Sequence, residues 1–112
     1  MKQVIAIPTS NNCLCQHFGH CEKFAVFQVE DKVIQGETYI TPPPHQPGVL
    51  PIWLASKGVT HVIAGGIGHK AIALFHDKGI QVFTGAGEVP AKMLIEDFVN
   101  GSLKTGSNSC DH

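Results

Sequence analysis

The sequence predicts a single α/β domain in which helices cover a mixed β-sheet. In the second half of the chain, short apolar runs alternate with segments of helical length, as in strand-helix-strand units. In the first half, two strand-like runs follow one another with only a short polar break between them. At 112 residues with 43% hydrophobic content, the chain is long enough to bury one core and too short for a second. The predicted order of elements is β-β-β-α-β-α-β-α.

The first half is predicted to begin with a buried strand and to continue as an antiparallel hairpin. Val4 to Ile7 form the apolar run of the first strand, which Pro8 is expected to close. A polar loop then runs from Thr9 to about Glu22. The hairpin strands are Phe24 to Val29 and Val33 to Ile40, on either side of Glu30-Asp31-Lys32.

The second half is predicted to be helix, strand, helix, strand, helix. A helix from Val49 to Lys57 tolerates Pro51 in its first turn and ends at Gly58. The strand-helix-strand unit that follows implies a parallel, right-handed crossover, and its parts are His61 to Ala64, His69 to Lys78 and Ile80 to Phe83. The last helix runs from near Pro90 to Gly101. We therefore expect one domain over residues 1–104 and a flexible tail over 105–112.

The most unusual feature of the chain is a run of soft metal ligands in the first loop. Five of the nine residues in Cys13-Leu14-Cys15-Gln16-His17-Phe18-Gly19-His20-Cys21 are Cys or His, although these types number only 11 of 112 in the chain. Thiolate and imidazole groups bind zinc, copper(I) and iron–sulfur centres. We predict a metal site in this loop, with the ligands Cys13, Cys15, His17, His20 and Cys21.

Three further features are candidates for the same site. A tight turn before a helix is predicted for Gly65-Gly66-Ile67-Gly68. Backbone N–H groups at a helix N-terminus attract anions. Gly65, Gly66 and Gly68 are therefore candidate cofactor-binding residues, as is His45, which lies in the stiff segment Pro42 to Gly48. The tail adds two soft donors, Cys110 and His112, at a length that allows it to fold back as a lid.

Composition and charge exclude several classes of function. The net charge is −1, and the eight basic residues are all lysines, without a run or stripe. Arginine supplies the bidentate contacts used on phosphates and guanine, so we expect no nucleic-acid partner. A two-metal nuclease needs carboxylates at strand ends, but no acidic residue precedes Glu22. No apolar run approaches the length of a membrane span or a secretory signal, so we expect a cytoplasmic protein whose cysteines are thiols or metal ligands.

Three motifs in this order resemble the dinitrogenase iron–molybdenum cofactor-binding family. They are His17-Phe18-Gly19-His20-Cys21, Pro44-His45-Gln46-Pro47-Gly48-Val49-Leu50-Pro51 and Ile63-Ala64-Gly65-Gly66-Ile67-Gly68. The resemblance covers residues 1 to about 104 and is to the small stand-alone members rather than to dedicated nitrogenase accessory proteins. It implies a ribonuclease H-like α/β fold and a role in binding or carrying an iron–sulfur or molybdenum-containing cluster. We therefore expect a non-enzymatic protein that carries or scaffolds such a cluster for delivery to a client protein.

Two other interpretations of the ligand loop remain open at this point. The same residues suit a structural zinc site, because Cys and His are the usual zinc ligands. Cys13 and Cys15 also suit a thiol redox pair, because a Cys-x-Cys spacing permits a strained and reducible disulfide. The remaining histidines are expected to be less informative: His61 and His76 as packing or surface residues, and His69 as a residue that orients a ligand.

Overall fold

The computed structural model describes residues 2–15, 18, 21–44, 48–103 and 105. Within these residues the chain forms a mixed sheet with helices on both faces, as predicted. The strands are β1 (Lys2–Ser10), β2 (Cys13–Leu14), β3 (Lys23–Glu30), β4 (Val33–Ile40), β5 (His61–Ile63) and β6 (Gln81–Phe83), and the helices are α1 (Val49–Ser56), α2 (His69–Asp77) and α3 (Ala91–Asn100). The α/β class is confirmed, and the relation to ribonuclease H stays a prediction.

Strand β1 is central in the sheet, whose order is β4-β3-β1-β5-β6, and the two-residue strand β2 also pairs with β1. β1 pairs antiparallel with β3 and parallel with β5, and β5 pairs parallel with β6. The parallel pairing expected for the β5-α2-β6 unit is therefore confirmed. The carboxyl ends of β1 and β5 lie side by side, which is where ligands usually bind in sheets of this kind.

The first strand is longer than predicted, and a hairpin replaces part of the predicted loop. β1 continues through Pro8 to Ser10, because Pro8 is paired with Phe24 of β3 and its carbonyl is still available as an acceptor. Asn11 and Asn12 then form a two-residue turn with φ of 54° and 66°, and the chain returns as β2. Asparagine tolerates this left-handed conformation, so Asn-Asn is a turn signal that the initial interpretation missed.

A second two-residue turn confirms the predicted β3–β4 hairpin. Asp31 and Lys32 have φ of 50° and 67°, and Glu30 pairs with Val33 across the turn. The register shifts between Gln28 and Val29, which marks a bulge beside the outer strand β4.

The apolar residues of each strand alternate between two cores. One core lies under α1 and α2 and contains Ala6, Phe24, Leu54 and Phe75. The other lies under α3 and contains Ile5, Ile7, Phe27, Leu94 and Ile95. Leu94 and Ile95 are the residues by which α3 is buried most deeply in this second core, together with Ala91. Each helix ends within a residue or two of its expected limit, and Gly58, Gly79 and Gly101 have the positive φ that the predicted stops require.

No helix among the residues that the structure describes is long and apolar enough to cross a membrane.

Candidate metal-binding loop

The described residues of the ligand-rich segment 13–21 are 13–15, 18 and 21, and they follow the carboxyl end of β1. Its first member, Cys13, is not in a loop as predicted, since it belongs to β2 and pairs with Ser10. The next residue, Leu14, is buried in the α3-side core. The hairpin therefore gives the start of this segment a fixed position relative to the sheet.

Cys15 and Cys21 are fixed by neighbouring residues of β1. The Cys15 N–H donates to the Pro8 carbonyl at 2.9 Å, and the Glu22 N–H donates to the Thr9 carbonyl at 2.9 Å. Thr9 pairs with Leu14 of β2 and with Lys23 of β3, so β2 and β3 lie on opposite edges of β1. The segment consequently leaves one edge of β1 and returns to the other.

The Cys21 thiol is a weaker acid than an ordinary cysteine. Burial, together with the electrostatic effect of Cys15, raises the pKa of the Cys21 thiol to about 11, whereas N–H groups of Cys21 and Thr9 oppose the shift. At neutral pH Cys21 is therefore a protonated thiol, and a metal that binds its sulfur must displace the proton.

Cys13 has different surroundings from the other two cysteines. Its backbone forms a bridge with Pro90, immediately before α3, and the Leu14 N–H donates to the Val89 carbonyl at 3.0 Å. Cys13, Cys15 and Cys21 are all thiols rather than disulfide sulfurs. The redox pairing of Cys13 with Cys15 stays a prediction.

Phe18 anchors the middle of the segment to the core. Its side chain is only 6% exposed, and its ring makes edge-on contacts with Phe24 at 5.5 Å and Phe75 at 5.6 Å between centroids. Its N–H donates to the Gly66 carbonyl at 3.2 Å. Sequence reasoning did not assign Phe18 a role, although one aromatic residue among polar and ligating neighbours is a recognisable signal of an anchor.

The glycine segment lies beside residues 13–21, but it is not the predicted tight turn. Gly65 and Gly66 are buried, and none of Gly65, Gly66 and Gly68 has a positive φ. The Gly65 carbonyl accepts from the Gly85 N–H at 2.8 Å, while the Gly66 carbonyl accepts from the Phe18 N–H at 3.2 Å. Hydrogen bonds from neighbours on both sides therefore fix the position of the segment.

The start of α2 is accessible next to this segment. Gly68 precedes the helix with φ −71° and ψ 153°, and it is exposed together with His69 and Lys70. The first turn holds no acidic residue. The first turn itself therefore supplies no negative charge to the positive end of the helix dipole, and this end lies near residues 13–21 because the Phe18 N–H donates to the Gly66 carbonyl.

Several predicted ligands lie outside the described residues. They are His17, His20, His45, Cys110 and His112, and the expected tail lies there with them except for Thr105. Among the residues that the structure does describe, no group of three or more Cys, His, Asp or Glu side chains is arranged to hold a metal ion. The five-ligand site and the tail lid stay predictions.

The histidines on regular elements behave as structural or surface residues. His61 stacks on Phe83 with an interplanar angle of 9° and meets Phe98 edge-on. Burial lowers the pKa of His61, which keeps its ring neutral to lower pH. His76 is exposed in the last turn of α2, and His69 is exposed at its start.

A polar groove beside the β1–β2 hairpin was not expected from the sequence. It has a volume of about 460 Å³ and is lined by Thr9, Asn11, Asn12, Glu22, Lys23 and Tyr39. The Asn11 N–H donates to the Glu22 carboxylate at 2.9 Å. This hydrogen bond joins the tip of the β1–β2 hairpin to the residue that follows the ligand-rich segment. A neighbouring groove of about 370 Å³ shares Asn12 and Tyr39 and extends to Lys92.

Comparison with known proteins identifies the family. The family model for the dinitrogenase iron-molybdenum cofactor matches residues 1–101, which is nearly the whole chain. The chain belongs to this family. The matched region includes the β1–β2 hairpin, the ligand-rich segment and the glycine segment.

Individual relatives agree with the family assignment. The uncharacterised protein MJ0580 of Methanocaldococcus jannaschii is 34% identical over 105 residues, which are 89% of this chain and 88% of that protein. The crystal structure of PH0822 is 29% identical, with a TM-score of 0.84 over 92% of this chain and 94% of the other. The apo orange protein of Desulfovibrio gigas has the same fold at 19% identity, with a TM-score of 0.76 over 95% and 94% of the two chains.

Proposed function

We propose that this member of the iron–molybdenum cofactor family binds an iron–sulfur or molybdenum-containing metal–sulfur cluster as cargo and carries it to a client protein in the cytoplasm. The observation that supports the proposal best is the position of the Cys15–Cys21 segment. It lies at the carboxyl ends of two adjacent parallel strands, beside an open helix N-terminus. Soft donors and a positive dipole end together suit a sulfur-rich anion.

The described residues divide naturally into those that donate to metal and those that favour negative charge. Cys15 and Cys21 supply sulfur ligands, and His17 and His20 lie between them in sequence. The backbone N–H groups of the first turn of α2, with the exposed Lys70 beside them, favour an anionic cargo without bonding to its metal. This division suits a carrier, because electrostatic contacts hold a cluster without consuming all of its coordination positions.

A carrier role also fits the family better than catalysis does. The family takes its name from a cofactor and not from a reaction. The carboxylates beside the β1–β2 hairpin have partners: Glu22 accepts from the Asn11 N–H, and Glu37 accepts from the Tyr39 hydroxyl and lies 3.7 Å from Lys92. We therefore propose a non-enzymatic protein without a nucleic-acid partner.

Anaerobic reconstitution tests the cargo proposal. Incubation with iron and sulfide, or with thiomolybdate, is expected to give a coloured complex of fixed stoichiometry, whereas zinc gives no visible absorption. The triple variant His17→Ala, His20→Ala, Cys21→Ser should lose the colour. His76→Ala is the matched control, because His76 is exposed near the far end of α2. Unchanged cargo affinity in the triple variant would show that the proposed ligands are wrong.

Chelation separates a cargo site from a structural zinc site. The two apolar cores are built mainly from the strands and helices. Leu14 and Phe18 are the residues of the ligand-rich segment that are buried in them. Cooperative thermal unfolding should therefore survive treatment with EDTA, unlike that of a zinc finger. A protein that loses its cooperative transition after chelation would instead have a structural metal.

A further inference from the structure

Thr60 links three neighbouring strands at the amino end of the sheet. Its N–H donates to the Val4 carbonyl of β1 at 2.8 Å, and its carbonyl accepts from the Gln81 N–H of β6 at 3.0 Å. Its hydroxyl oxygen accepts from the Val4 N–H at 2.9 Å and lies 3.1 Å from the Val4 carbonyl. The side chain of Thr60 therefore completes the contact between β1 and β5 where the backbone pairing of these two strands begins.

The same hydroxyl has a third neighbour, His61 Nδ1, at 2.7 Å. A hydroxyl group has one proton to donate and can accept from two donors. Because the Val4 N–H occupies one acceptor position, the single hydroxyl proton serves either His61 Nδ1 or the Val4 carbonyl. The contact with Nδ1 is the shorter of the two, which favours donation to Nδ1 and a neutral ring whose own proton is on Nε2.

The His61 ring is held in position for this contact by two aromatic rings. It stacks on Phe83 of β6 at 6.2 Å between centroids with an interplanar angle of 9°, and it meets Phe98 of α3 edge-on at 5.5 Å. Turning the ring away from Thr60 would break both contacts. The Thr60 hydroxyl, in contrast, redirects its proton by rotating about one C–O bond, so it is the group that adjusts when the ring gains a proton.

The elements that pack against His61 carry few charged groups. They are Lys2 on β1 and Lys92, Glu96 and Asp97 on α3, and β6 carries none. Within the described part of the chain, none of these groups has a hydrogen bond or an ion pair with His61. Burial is the cause that lowers the pKa of His61, so the proton on Nδ1 is governed by solvent and by Thr60.

We propose that His61 and Thr60 form a pH-sensitive switch in which the Thr60 hydroxyl reverses its hydrogen bond when His61 takes up a proton. A proton from solvent adds to Nδ1, and the charged ring then donates to the Thr60 oxygen. The hydroxyl proton turns to the Val4 carbonyl, which accepts from both the N–H and the hydroxyl of Thr60. The contact between β1 and β5 is therefore rearranged in acid without leaving a polar group unpaired. The switch is independent of the proposed cargo, because residues 13–21 follow the opposite end of β1.

Nuclear magnetic resonance of the full chain, labelled with nitrogen-15, tests the direction of this hydrogen bond. The ring nitrogen shifts of His61 should identify the form protonated on Nε2 at neutral pH. As the pH falls, the ring signals and the amide signals of Val4 and Thr60 should change with one common midpoint. A neutral ring protonated on Nδ1 would overturn the switch, as would Val4 and Thr60 signals that do not follow the ring.

Two substitutions of Thr60 separate the hydroxyl from the shape of the side chain. Thr60→Val removes the hydroxyl, and the charged ring loses more than the neutral ring because hydrogen bonds from charged donors are stronger. The midpoint of the His61 titration should therefore shift to lower pH. Thr60→Ser retains the hydroxyl and should keep the wild-type midpoint. An unchanged midpoint in Thr60→Val would show that His61 only packs beside Thr60.

A variant of His61 keeps the proposal testable if Thr60→Val does not fold. His61→Phe retains an aromatic ring beside Phe83 and Phe98 but has no nitrogen to protonate. Its Val4 and Thr60 amide signals should stay constant between about pH 7 and about pH 5, the range in which histidine titrates. Thermal unfolding at neutral pH checks that the variant is folded. Amide signals that still change as in the wild type would show that another group is responsible, and the switch would be wrong.

Discussion

The two ends of the sheet differ in how they use their polar groups. At the amino end, Thr60 and His61 have their polar atoms engaged by neighbours: the Thr60 hydroxyl bonds to both the Val4 N–H and the Val4 carbonyl, and it lies 2.7 Å from His61 Nδ1. At the carboxyl end, the thiols of Cys13, Cys15 and Cys21 are reduced, and the start of α2 faces solvent. The comparison indicates that side-chain hydrogen bonds stabilise the fold at the amino end, whereas the candidate metal ligands lie at the carboxyl end of the same sheet.

The largest effect is expected where this division breaks down, at Phe18. This residue lies at the carboxyl end but packs in the core, so Phe18→Ala should lower the free energy of unfolding by about 3 kcal/mol. It should also weaken metal retention, because the loop loses its anchor. Urea denaturation and a metal-release assay measure the two effects. A variant that keeps wild-type stability would show that the loop is not coupled to the core.

At the amino end, Thr60→Val should affect stability and leave metal binding unchanged. Valine has nearly the shape of threonine but lacks the hydroxyl that accepts from Val4, so a backbone N–H in the middle of the sheet loses its partner. We expect a loss of about 1–2 kcal/mol in urea denaturation. A matched loss of cluster affinity would contradict the separation of the two ends.

The two glycines that flank α2 give a smaller and sharper contrast. Gly79 has φ +75°, so Gly79→Ala should cost about 1 kcal/mol through backbone strain alone, since no atom lies near its added Cβ. Gly68 has φ −71° and equally open space, so Gly68→Ala should be nearly neutral for folding. Thermal unfolding measures both. Reduced cluster binding by Gly68→Ala at unchanged stability would show that cargo approaches the helix start closely.

The smallest effect is expected from the titration of His61. Burial lowers its pKa below the usual value near 6.5, so the neutral ring stabilises the fold. This contribution is fully present above about pH 6.5 and is lost as the pH falls toward the lower pKa of the folded protein. His61→Phe keeps an aromatic ring beside Phe83 and Phe98 but does not titrate. The difference in stability between the two proteins should therefore change between pH 7 and pH 5.

Regular elements were predictable where apolar periodicity and glycine stops coincide. The limits of α1, α2 and α3 follow from Gly58, Gly79 and Gly101, and the β3–β4 hairpin follows from its polar turn. The β1–β2 hairpin was missed because Pro8 suggested a stop. A proline ends a strand only where its missing N–H is needed, and at Pro8 the carbonyl provides the bond to Cys15.

The residues of the candidate site stay a prediction, but the structure shows which backbone contacts the sequence did not reveal. Adjacent parallel strands bring the segments after β1 and β5 together. Cys15 and Glu22 bond to neighbouring residues of β1 because β2 and β3 lie on opposite edges of that strand, and spacing along the chain holds no information about this arrangement. Likewise, the Gly65-Gly66 conformation is set by donors from Phe18 and Gly85, which are distant in sequence.

The central position of β1 also has a consequence for how the chain folds as it is synthesised. One edge of β1 pairs with β3, which follows soon after it, so the antiparallel half forms from local contacts. The other edge pairs with β5, and 56 residues separate Val4 from its partner Thr60. Until β5 emerges from the ribosome, the β5-facing edge of β1 around Ile5 and Ala6 remains unpaired and apolar, and nascent chains are most prone to associate with one another during this interval.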